Sequence, residues 1–434
     1  MDISIGSQMI LLFFALIIFS VPVAFSLAIS ALYAMWQLEF GLDMVADLVI
    51  AGSSKYTLLA IPFFILAGNL MGISGIAERM IAFFRVLVEK LPGSMGLVGT
   101  VVCLFWGAVS GSGPASVAAI GPLIISGMVE DGYKKNYAAG LVCTGAALSL
   151  IIPPSIGLVI YGVIAETSIS DLFVASVVPG LMFGVLMLCT IPFTQKLNVN
   201  TNGDAVRVEV TPTYSQGYFQ RLSQSFYHAF WGLFTPVLIL GGIYGGVFTP
   251  TEAAIVASVY ALIVGAGIYR SIGLRDFYQS VVDSACSSAV VMLVVSFAGL
   301  FGWVIEIDGI VMDYSEALMT ISQSPTMMLF VIMLVLLVAG MFMDAVTIMY
   351  ITLPIFLPVV RALGIDLTWF GVLVMTSLSI GLITPPVGIN LFVAANITQS
   401  SLGYISRGIG PFLLISLIGL AILVCFPQIS LFLL

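Results

Sequence analysis

Charged residues are scarce in this sequence, and their scarcity defines the class of protein. Asp, Glu, Lys and Arg make up 8% of the 434 residues, about a third of their share in an ordinary soluble protein. Hydrophobic residues make up 60%, and the mean hydropathy is +1.18. These values indicate a membrane protein. At roughly 20 apolar residues per spanning helix, the length allows about ten to a dozen crossings and leaves no room for a soluble catalytic domain.

The residues that common catalytic and nucleic-acid chemistries require are also scarce. His228 is the only histidine, so the chain offers no HExxH metal site and no serine–histidine pair within a helix. A GxxxxGKS/T motif is absent, which excludes ATP hydrolysis through a P-loop. The formal net charge of −8 has the wrong sign for a nucleic-acid binder. We expect a protein that is not an enzyme, uses no cofactor and draws its energy from an ion gradient.

The cysteines indicate neither redox nor metal chemistry. They lie inside apolar runs without a CxxC pair, so we expect buried hydrophobic residues. The five are Cys103, Cys143, Cys189, Cys286 and Cys425.

Two pairs of short apolar runs predict re-entrant helical hairpins, at about 93–128 and 326–360. The first pair has lysines outside both ends, which indicates entry from the cytoplasmic side. The second pair breaks at Asp344, and its lead-in Gly302–Pro325 carries four acidic residues and no basic one. This hairpin is therefore expected to enter from the opposite side.

Short motifs recur at offsets of 231 to 233 residues, which predicts a duplication. Because the two hairpins enter from opposite sides, we expect an inverted repeat within an all-α polytopic membrane protein. The first repeat is predicted over 1–195 and the second over 226–434, with a cytoplasmic linker over 196–225. Broken transmembrane helices are expected at about 137–165 and 367–397. The aligned motifs are Ala67-Gly68 with Ala298-Gly299, Pro92 with Pro325, Pro122 with Pro354, and Leu150–Pro154 with Leu382–Pro386.

Other segments predict individual helices. Met9–Trp36 is either one long helix or two segments bent at Pro22, and the side of the N-terminus stays open. Amphipathic patterns in Ile76–Glu89 and Ile310–Ile321 predict helices along opposite membrane surfaces, just before each hairpin. Thr249–Glu252 has the pattern of a capping box, which predicts the start of a helix.

Four interruptions of the apolar runs predict the functional site. Broken helices survive in a bilayer where they line a cavity or are buried in protein, because every backbone polar group needs a partner. Paired interruptions at matching positions of two halves are typical of a transport site. Two of them are hairpin tips and two are mid-helix breaks. The four interruptions are Ser110–Pro114, Ile152–Ser155, Gly340–Asp344 and Thr384–Gly388.

The chemistry of these interruptions suits a cation together with an anion. Hydroxyl, carbonyl and carboxylate oxygens are hard ligands for Na⁺, and the half-helix N-termini attract a carboxylate. Asp344 is an acid deep in the predicted bilayer, which favours a cation ligand, although a hairpin-tip acid can also cap the following helix. The predicted sodium ligands by this reasoning are Ser110, Ser112, Asp344, Thr347 and Thr384. The predicted substrate contacts are Ser116, Ser155, Gly388, Asn390 and Asn396.

Two other classes of function remain open. An ion or solute channel is the second possibility, although opposed hairpins on matched breaks describe an occluded site better than a pore. An intramembrane hydrolase is the third, and the missing histidine partner and nucleophile elbow argue against it.

Several motifs resemble one transporter family over essentially the whole chain. Ser110–Ser116, Ile151–Ser155, Gly241–Ala254 and Gly381–Asn390 are similar to the large permease (M) subunit of tripartite ATP-independent periplasmic, or TRAP, transporters. The resemblance implies a sodium-coupled elevator-type importer of an organic acid, such as a C4-dicarboxylate or a sugar acid, in the bacterial inner membrane. It also implies two partners, a periplasmic substrate-binding protein (P) and a small membrane subunit (Q), here a separate polypeptide.

The resemblance also places the sodium sites. One site would lie between the first hairpin tip and the break around Pro153-Pro154, and the other between the second tip and the break around Pro385-Pro386. The backbone ligands added on this basis are Gly111, Gly113, Ile152, Pro153, Gly340 and Gly381.

Overall fold

The computed structural model describes residues 4–89, 91, 94–198, 217–322 and 324–434, and these fold into helices without strands. Eight helices within these ranges are long and apolar enough to cross a membrane. Up to the predicted linker, the helices are α1 (Ile5–Ile18), α2 (Val23–Gln37), α3 (Leu42–Ser53), α4 (Ala60–Ile73), α5 (Ile76–Leu87), α6 (Ser94–Ser110), α7 (Gly113–Glu130), α8 (Lys135–Ala147), α9 (Ile156–Ala165) and α10 (Ile169–Asn198).

The second half repeats the amphipathic helix, the hairpin and the broken helix in the same order. Of the predicted linker, residues 199–216 lie outside the described residues, and the chain is described again from 217. The remaining helices are α11 (Tyr218–Tyr244), α12 (Pro250–Leu262), α13 (Leu274–Ile307), α14 (Ile310–Ile321), α15 (Pro325–Gly340), α16 (Ala345–Ala362), α17 (Leu367–Gly381), α18 (Ile389–Thr398), α19 (Leu402–Cys425) and α20 (Gln428–Leu431).

Matching backbone features mark the two halves as copies. The amphipathic helices α5 and α14 each begin after a glycine in the left-handed region, Gly75 with φ +73° and Gly309 with φ +76°. The second halves of the broken helices, α9 and α18, each end at a left-handed residue, Glu166 and Gln399. Both hairpins, α6–α7 and α15–α16, precede a broken helix, α8–α9 and α17–α18 respectively. The duplicated order therefore holds in the fold.

The two broken helices run in opposite directions. Four hydrogen bonds join them in reverse order, so the start of α8 lies beside the end of α18, and the end of α9 lies beside the start of α17. The copies are therefore inverted relative to each other. The bonds are Lys135 Nζ to Thr398 O (2.7 Å), Asn390 Nδ2 to Cys143 O (3.0 Å), Ser379 Oγ to Ala147 O (2.7 Å) and Tyr161 Oη to Leu367 O (2.7 Å).

The hairpins accordingly extend to opposite ends of the molecule. Beyond the end of α7, Asp131 pairs with Arg85 at 3.5 Å, close to the start of α8. At the other end, the Arg361 guanidinium of α16 donates to Ala165 O, the last carbonyl of α9, at 3.4 Å. We call these the basic end and the acidic end. The helix termini and contacts place further charged residues at each end. Basic residues of the basic end include Arg79, Lys134, Lys135, Arg221, Arg270, Arg275 and Arg407. Acidic residues of the acidic end include Glu166, Asp171, Glu306, Asp308 and Asp366.

The packing of the helices divides the described chain into two bodies. The hairpin body comprises α6–α10 and α15–α20, which contain both hairpins and both broken helices. The frame comprises α1–α5 and α11–α14, in which α13 packs on α2, α3 and α4, and α12 packs on α4. The amphipathic helices α5 and α14 lie directly before the hairpins, so they connect the frame to the hairpin body.

The N-terminal run is two helices, which answers the question left open by the sequence. The chain turns between α1 and α2, where Ser20 has φ +63°. Tyr33 of α2 donates to Gln8 of α1 at 3.0 Å, so the two helices are antiparallel. The N–H of Gly6 donates to Asp308 Oδ2 at 2.8 Å, which places the start of α1 at the acidic end.

The capping box at the start of α12 is confirmed. Thr249 Oγ1 accepts from the Glu252 N–H, and Glu252 Oε2 accepts from the Thr249 N–H at 2.8 Å. Glu252 therefore closes the first turn of this helix.

The expectation that all cysteines are buried is wrong for three of them. Cys103 and Cys143 are buried, whereas Cys189, Cys286 and Cys425 are exposed. In a spanning helix the outer face is as apolar as the inner face because it contacts lipid, so an apolar run does not show which side is buried.

Candidate functional site

The first hairpin tip packs against the break of its own broken helix. The α6 helix ends at Ser110, and the chain turns through Gly111, whose φ of +61° lies in the left-handed region. A Cβ at Gly111 would lie 3.2 Å from the Ile156 nitrogen and 3.3 Å from the Pro154 oxygen. The positive φ and this close approach both favour glycine here. Backbone polar groups of the tip and of the break thus face each other.

The second hairpin tip meets its break even more closely. The N–H of Gly388 donates to the carbonyl of Met341 at 3.0 Å. A Cβ at Gly381 would lie 2.6 Å from the Gly340 Cα, a distance that real Cβ atoms do not reach. Two glycines therefore allow the end of α15 and the end of α17 to touch backbone to backbone.

Contacts between the copies bring all four interruptions into one cluster. Ser379 and Ala147 occupy equivalent positions at an offset of 232, and they touch through the 2.7 Å hydrogen bond. Asn390 of α18 lies beside Gly113 at the start of α7, where a Cβ would be 3.0 Å from the Asn390 Oδ1. Asn390 is fully buried, and its Oδ1 has no hydrogen-bond partner among the described residues.

The half-helices present backbone N–H groups at this cluster. Ser112, Ser155 and Gly388 hold the N-cap positions of α7, α9 and α18, and none makes a side-chain capping bond within the part of the chain that the structure describes. The first N–H groups of a helix have no partner inside the helix and carry the positive end of its dipole. The N-termini of α7 and α9 therefore favour an anion at this cluster. At the start of α18, the Gly388 N–H donates to Met341 O and the Asn390 N–H donates to Leu382 O at 3.1 Å, so these two groups are already bonded.

The fourth half-helix is capped by an acid. Asp344 Oδ2 accepts from the Thr347 N–H at 3.1 Å, and Asp344 Oδ1 accepts from the Thr347 hydroxyl at 2.7 Å. The carboxylate thus caps α16, which is one of its two predicted uses. An ionised carboxylate has about four acceptor sites, so two hydrogen bonds leave capacity for a cation. The cation role stays a prediction.

All eleven predicted sodium ligands lie at or next to the interruptions. Several hydroxyls already donate to backbone carbonyls, such as Ser110 Oγ to Ser112 O (3.2 Å) and Thr384 Oγ1 to Ile380 O (2.6 Å). A donating hydroxyl keeps its lone pairs free for a cation. The eleven residues are Ser110, Gly111, Ser112, Gly113, Ile152, Pro153, Gly340, Asp344, Thr347, Gly381 and Thr384.

The five predicted substrate contacts lie in different places. Ser116 and Ser155 are fully buried and donate to Ser112 O (2.8 Å) and Leu150 O (2.7 Å). The Gly388 N–H donates to Met341 O, so it forms part of the contact between the second hairpin tip and the α17–α18 break. Asn390 lies in the cluster, whereas Asn396 is exposed about 9 Å farther along α18, apart from the interruptions.

Sequence reasoning missed Ser379, which joins the two copies. It lies five residues before the predicted break, in an uninterrupted part of α17. The repeat offset of 232 could have indicated Ser379, because it makes Ser379 equivalent to Ala147. Equivalent residues of an inverted repeat meet where its pseudo-symmetry axis passes.

Opposed hairpins and antiparallel broken helices that meet at one polar centre define a membrane permease. The chain belongs to the family described as tripartite ATP-independent periplasmic transporter, DctM component, which matches residues 10–429. It is a large permease subunit of a TRAP transporter and not an enzyme, as the sequence predicted.

Comparisons with known proteins agree with this assignment. The chain is 39% identical to the C4-dicarboxylate TRAP transporter large permease protein DctM of Pseudomonas aeruginosa, over 92% of this chain and 91% of that one. It is 36% identical to the isethionate TRAP transporter permease protein DctMQ of Oleidesulfovibrio alaskensis, over 97% of this chain, and spans 65% of that protein. The crystal structure of the YdaH transporter of Alcanivorax borkumensis has the same fold, with a TM-score of 0.59 at 13% identity over 89% of each chain.

Proposed function

We propose that this permease subunit imports an organic acid, such as a C4-dicarboxylate or a sugar acid, by sodium-coupled transport with an elevator motion of the hairpin body. The observation that carries the proposal is the cluster of four interruptions. It combines the N-termini of α7 and α9, which favour a carboxylate, with an acid and backbone oxygens that suit Na⁺. Binding of an anion with cations in one site couples the two fluxes, because each stabilises the other electrostatically.

The charge distribution supports an orientation with the basic end in the cytoplasm. Among the described Lys and Arg residues whose contacts place them, Lys55 and Arg361 alone lie at the acidic end. Positive residues flank the cytoplasmic ends of membrane helices. In a bacterial inner membrane, this orientation exposes the acidic end to the periplasm, where a substrate-binding protein would deliver the acid.

The partners in this proposal are a periplasmic substrate-binding protein and a small membrane subunit. The tripartite description of the family supports both.

Unequal contacts between frame and hairpin body support the elevator motion. A Cβ at Gly68 of α4 would lie 3.5 Å from the Ser110 Cα at the first tip. The equivalent residue in α13, Gly299, faces Gly52 of the frame instead. The α13 helix meets the second hairpin through Gly302 and Pro354, ten residues or about 15 Å beyond Asp344. In a symmetric arrangement, α4 and α13 would contact equivalent parts of the two hairpins. Relative to that arrangement, the hairpin body lies nearer to the basic end. The opposite position would have α13 at the second tip and α4 farther along the first hairpin.

Reconstituted uptake tests the proposed function. We expect proteoliposomes that contain this chain and its small subunit to accumulate the acid when they have an inward sodium gradient and loaded binding protein outside. Replacing external sodium by choline, or omitting the binding protein, should reduce uptake to background because either change removes a component of the coupled cycle. Uptake that persists after either omission would contradict the proposal. Sustained current without binding protein would indicate a channel instead.

A further inference from the structure

A cavity separates the frame from the hairpin body at the acidic end. Its volume is about 300 Å³, and it is lined by α3 and α13 of the frame and by α9 and α16 of the hairpin body. Most of the lining is apolar, including Trp303 and Pro354. Among its lining residues, Lys55 is the single cation and Glu306 the single anion. The volume is within the range of small-molecule sites.

Lys55 connects the two bodies across this cavity. It follows the end of α3 in the frame, and its Nζ donates to the carbonyl of Val163 in the last turn of α9 at 3.1 Å. A lysine ammonium has three donors, so two remain after this contact. The Lys55 side chain is exposed, and it also borders a second cavity of about 320 Å³ together with Pro62 and Met292. The Lys55 side chain is therefore accessible from both cavities.

The Val163 carbonyl is a neutral partner that an anion can replace. A charge-assisted hydrogen bond from an ammonium to a carboxylate is about twice as strong as a hydrogen bond between neutral groups. The low-dielectric walls of the cavity, Trp303 and Pro354 among them, strengthen attraction to the single cation. A carboxylate that enters from the acidic end would therefore take the Lys55 ammonium away from α9.

We propose that Lys55 forms a carboxylate-binding site at the acidic end, where the organic acid is received before it reaches the hairpin tips. The site lies outside the four interruptions. Its occupancy breaks the Lys55–Val163 hydrogen bond, which links the frame to the hairpin body in this position. The inference rests on the proposed import of a carboxylate. Glu306 limits the affinity of the site because it places a like charge in the same cavity.

Charge-selective labelling tests the site without a transport assay. Gly302 lines the cavity, and a Cβ there would contact only Pro354 at 3.8 Å, so Gly302→Cys is a suitable reporter. We replace the five natural cysteines by serine and react the purified full chain with an anionic (sulfonatoethyl) or a cationic (trimethylammonioethyl) methanethiosulfonate. Lys55→Gln should lower the ratio of the anionic to the cationic rate about fivefold at low ionic strength, as expected from one charge at several ångströms. Lys55→Arg should preserve the ratio.

Two further variants and one ligand complete the test. Glu306→Gln should raise the same ratio, whereas Arg361→Gln should leave it unchanged, because Arg361 is basic and at the same end but does not line the cavity. Millimolar succinate should slow the anionic labelling in the presence of Lys55 and not in Lys55→Gln. The site would be overturned if the ratio of anionic to cationic labelling rates were the same with Lys55 and in Lys55→Gln. It would also be overturned if succinate slowed anionic labelling equally in both proteins. Because the assay needs neither sodium nor binding protein, that result together with intact uptake would remove this inference and leave the proposed function standing.

Discussion

Gly381→Ala should abolish uptake and destabilise the permease. The added methyl group would lie 2.6 Å from the Gly340 Cα and 2.7 Å from its carbonyl carbon. Both atoms belong to the backbone, so the second hairpin itself must move away from the α17 break. Overpacking of a well-packed interior costs about 1–3 kcal/mol, and we expect the upper part of this range because no flexible side chain can yield. Thermal unfolding in detergent and sodium-driven uptake measure the two effects.

Gly410→Ala is the matched control for this substitution. Gly410 lies within α19 of the same body, is exposed, and has no atom within 4 Å of an added Cβ. Alanine is favoured over glycine in a helix interior by about 1 kcal/mol, and Pro411, which follows directly, offsets part of this gain, so stability should stay close to the parent and uptake should be retained. Normal uptake by Gly381→Ala would contradict the close backbone contact between Gly340 at the second tip and Gly381 at the α17 break.

Asp344→Asn should raise the sodium concentration for half-maximal uptake about tenfold, the ratio that corresponds to a loss of ~1.4 kcal/mol of binding free energy. Asparagine is as good an N-cap as aspartate, so α16 keeps its cap while the site loses a negative charge. The substitution thereby separates the two uses of this carboxylate. The measurement is the sodium dependence of initial uptake rates in proteoliposomes at a fixed concentration of loaded binding protein.

Asp366→Asn provides the corresponding control in the same copy. Asp366 caps α17 in the same way, with its Oδ1 accepting from the Trp369 N–H at 2.8 Å, but it lies at the acidic end and apart from the interruptions. We expect its sodium dependence to match the parent. If Asp344→Asn also kept the sodium dependence of the parent, Asp344 would be a helix cap only.

The interruptions could be located from the sequence because their signals are local. Glycine, proline and an acid stand out within apolar runs, and the structure ends α15 at Gly340 and begins α16 at Ala345, as the pattern predicted. The predicted second hairpin, about 326–360, is observed over 325–362. The offset between motifs also predicted the duplication, since repeated elements keep their order along the chain.

The contacts between distant segments could not be predicted in the same way. Gly381 was predicted as a backbone sodium ligand, but its contact with Gly340, 41 residues earlier, depends on how α15 packs on α17. Asn396 was predicted as a substrate contact together with Asn390, although the two residues lie six positions apart along α18. Lys55 lies far from every interruption in the sequence, and only the packing of the frame against the hairpin body shows that it reaches α9.

Two inverted copies bring their hairpin tips together from opposite sides of the membrane, which places the outer ends of the two hairpins on opposite faces. Glu130 ends α7 and Ala362 ends α16, at equivalent positions with an offset of 232, and both are exposed. A membrane-impermeant maleimide should label Ala362→Cys from outside intact cells, and should label Glu130→Cys only in inside-out vesicles. Labelling of both positions from one side would contradict the inverted arrangement of the two copies.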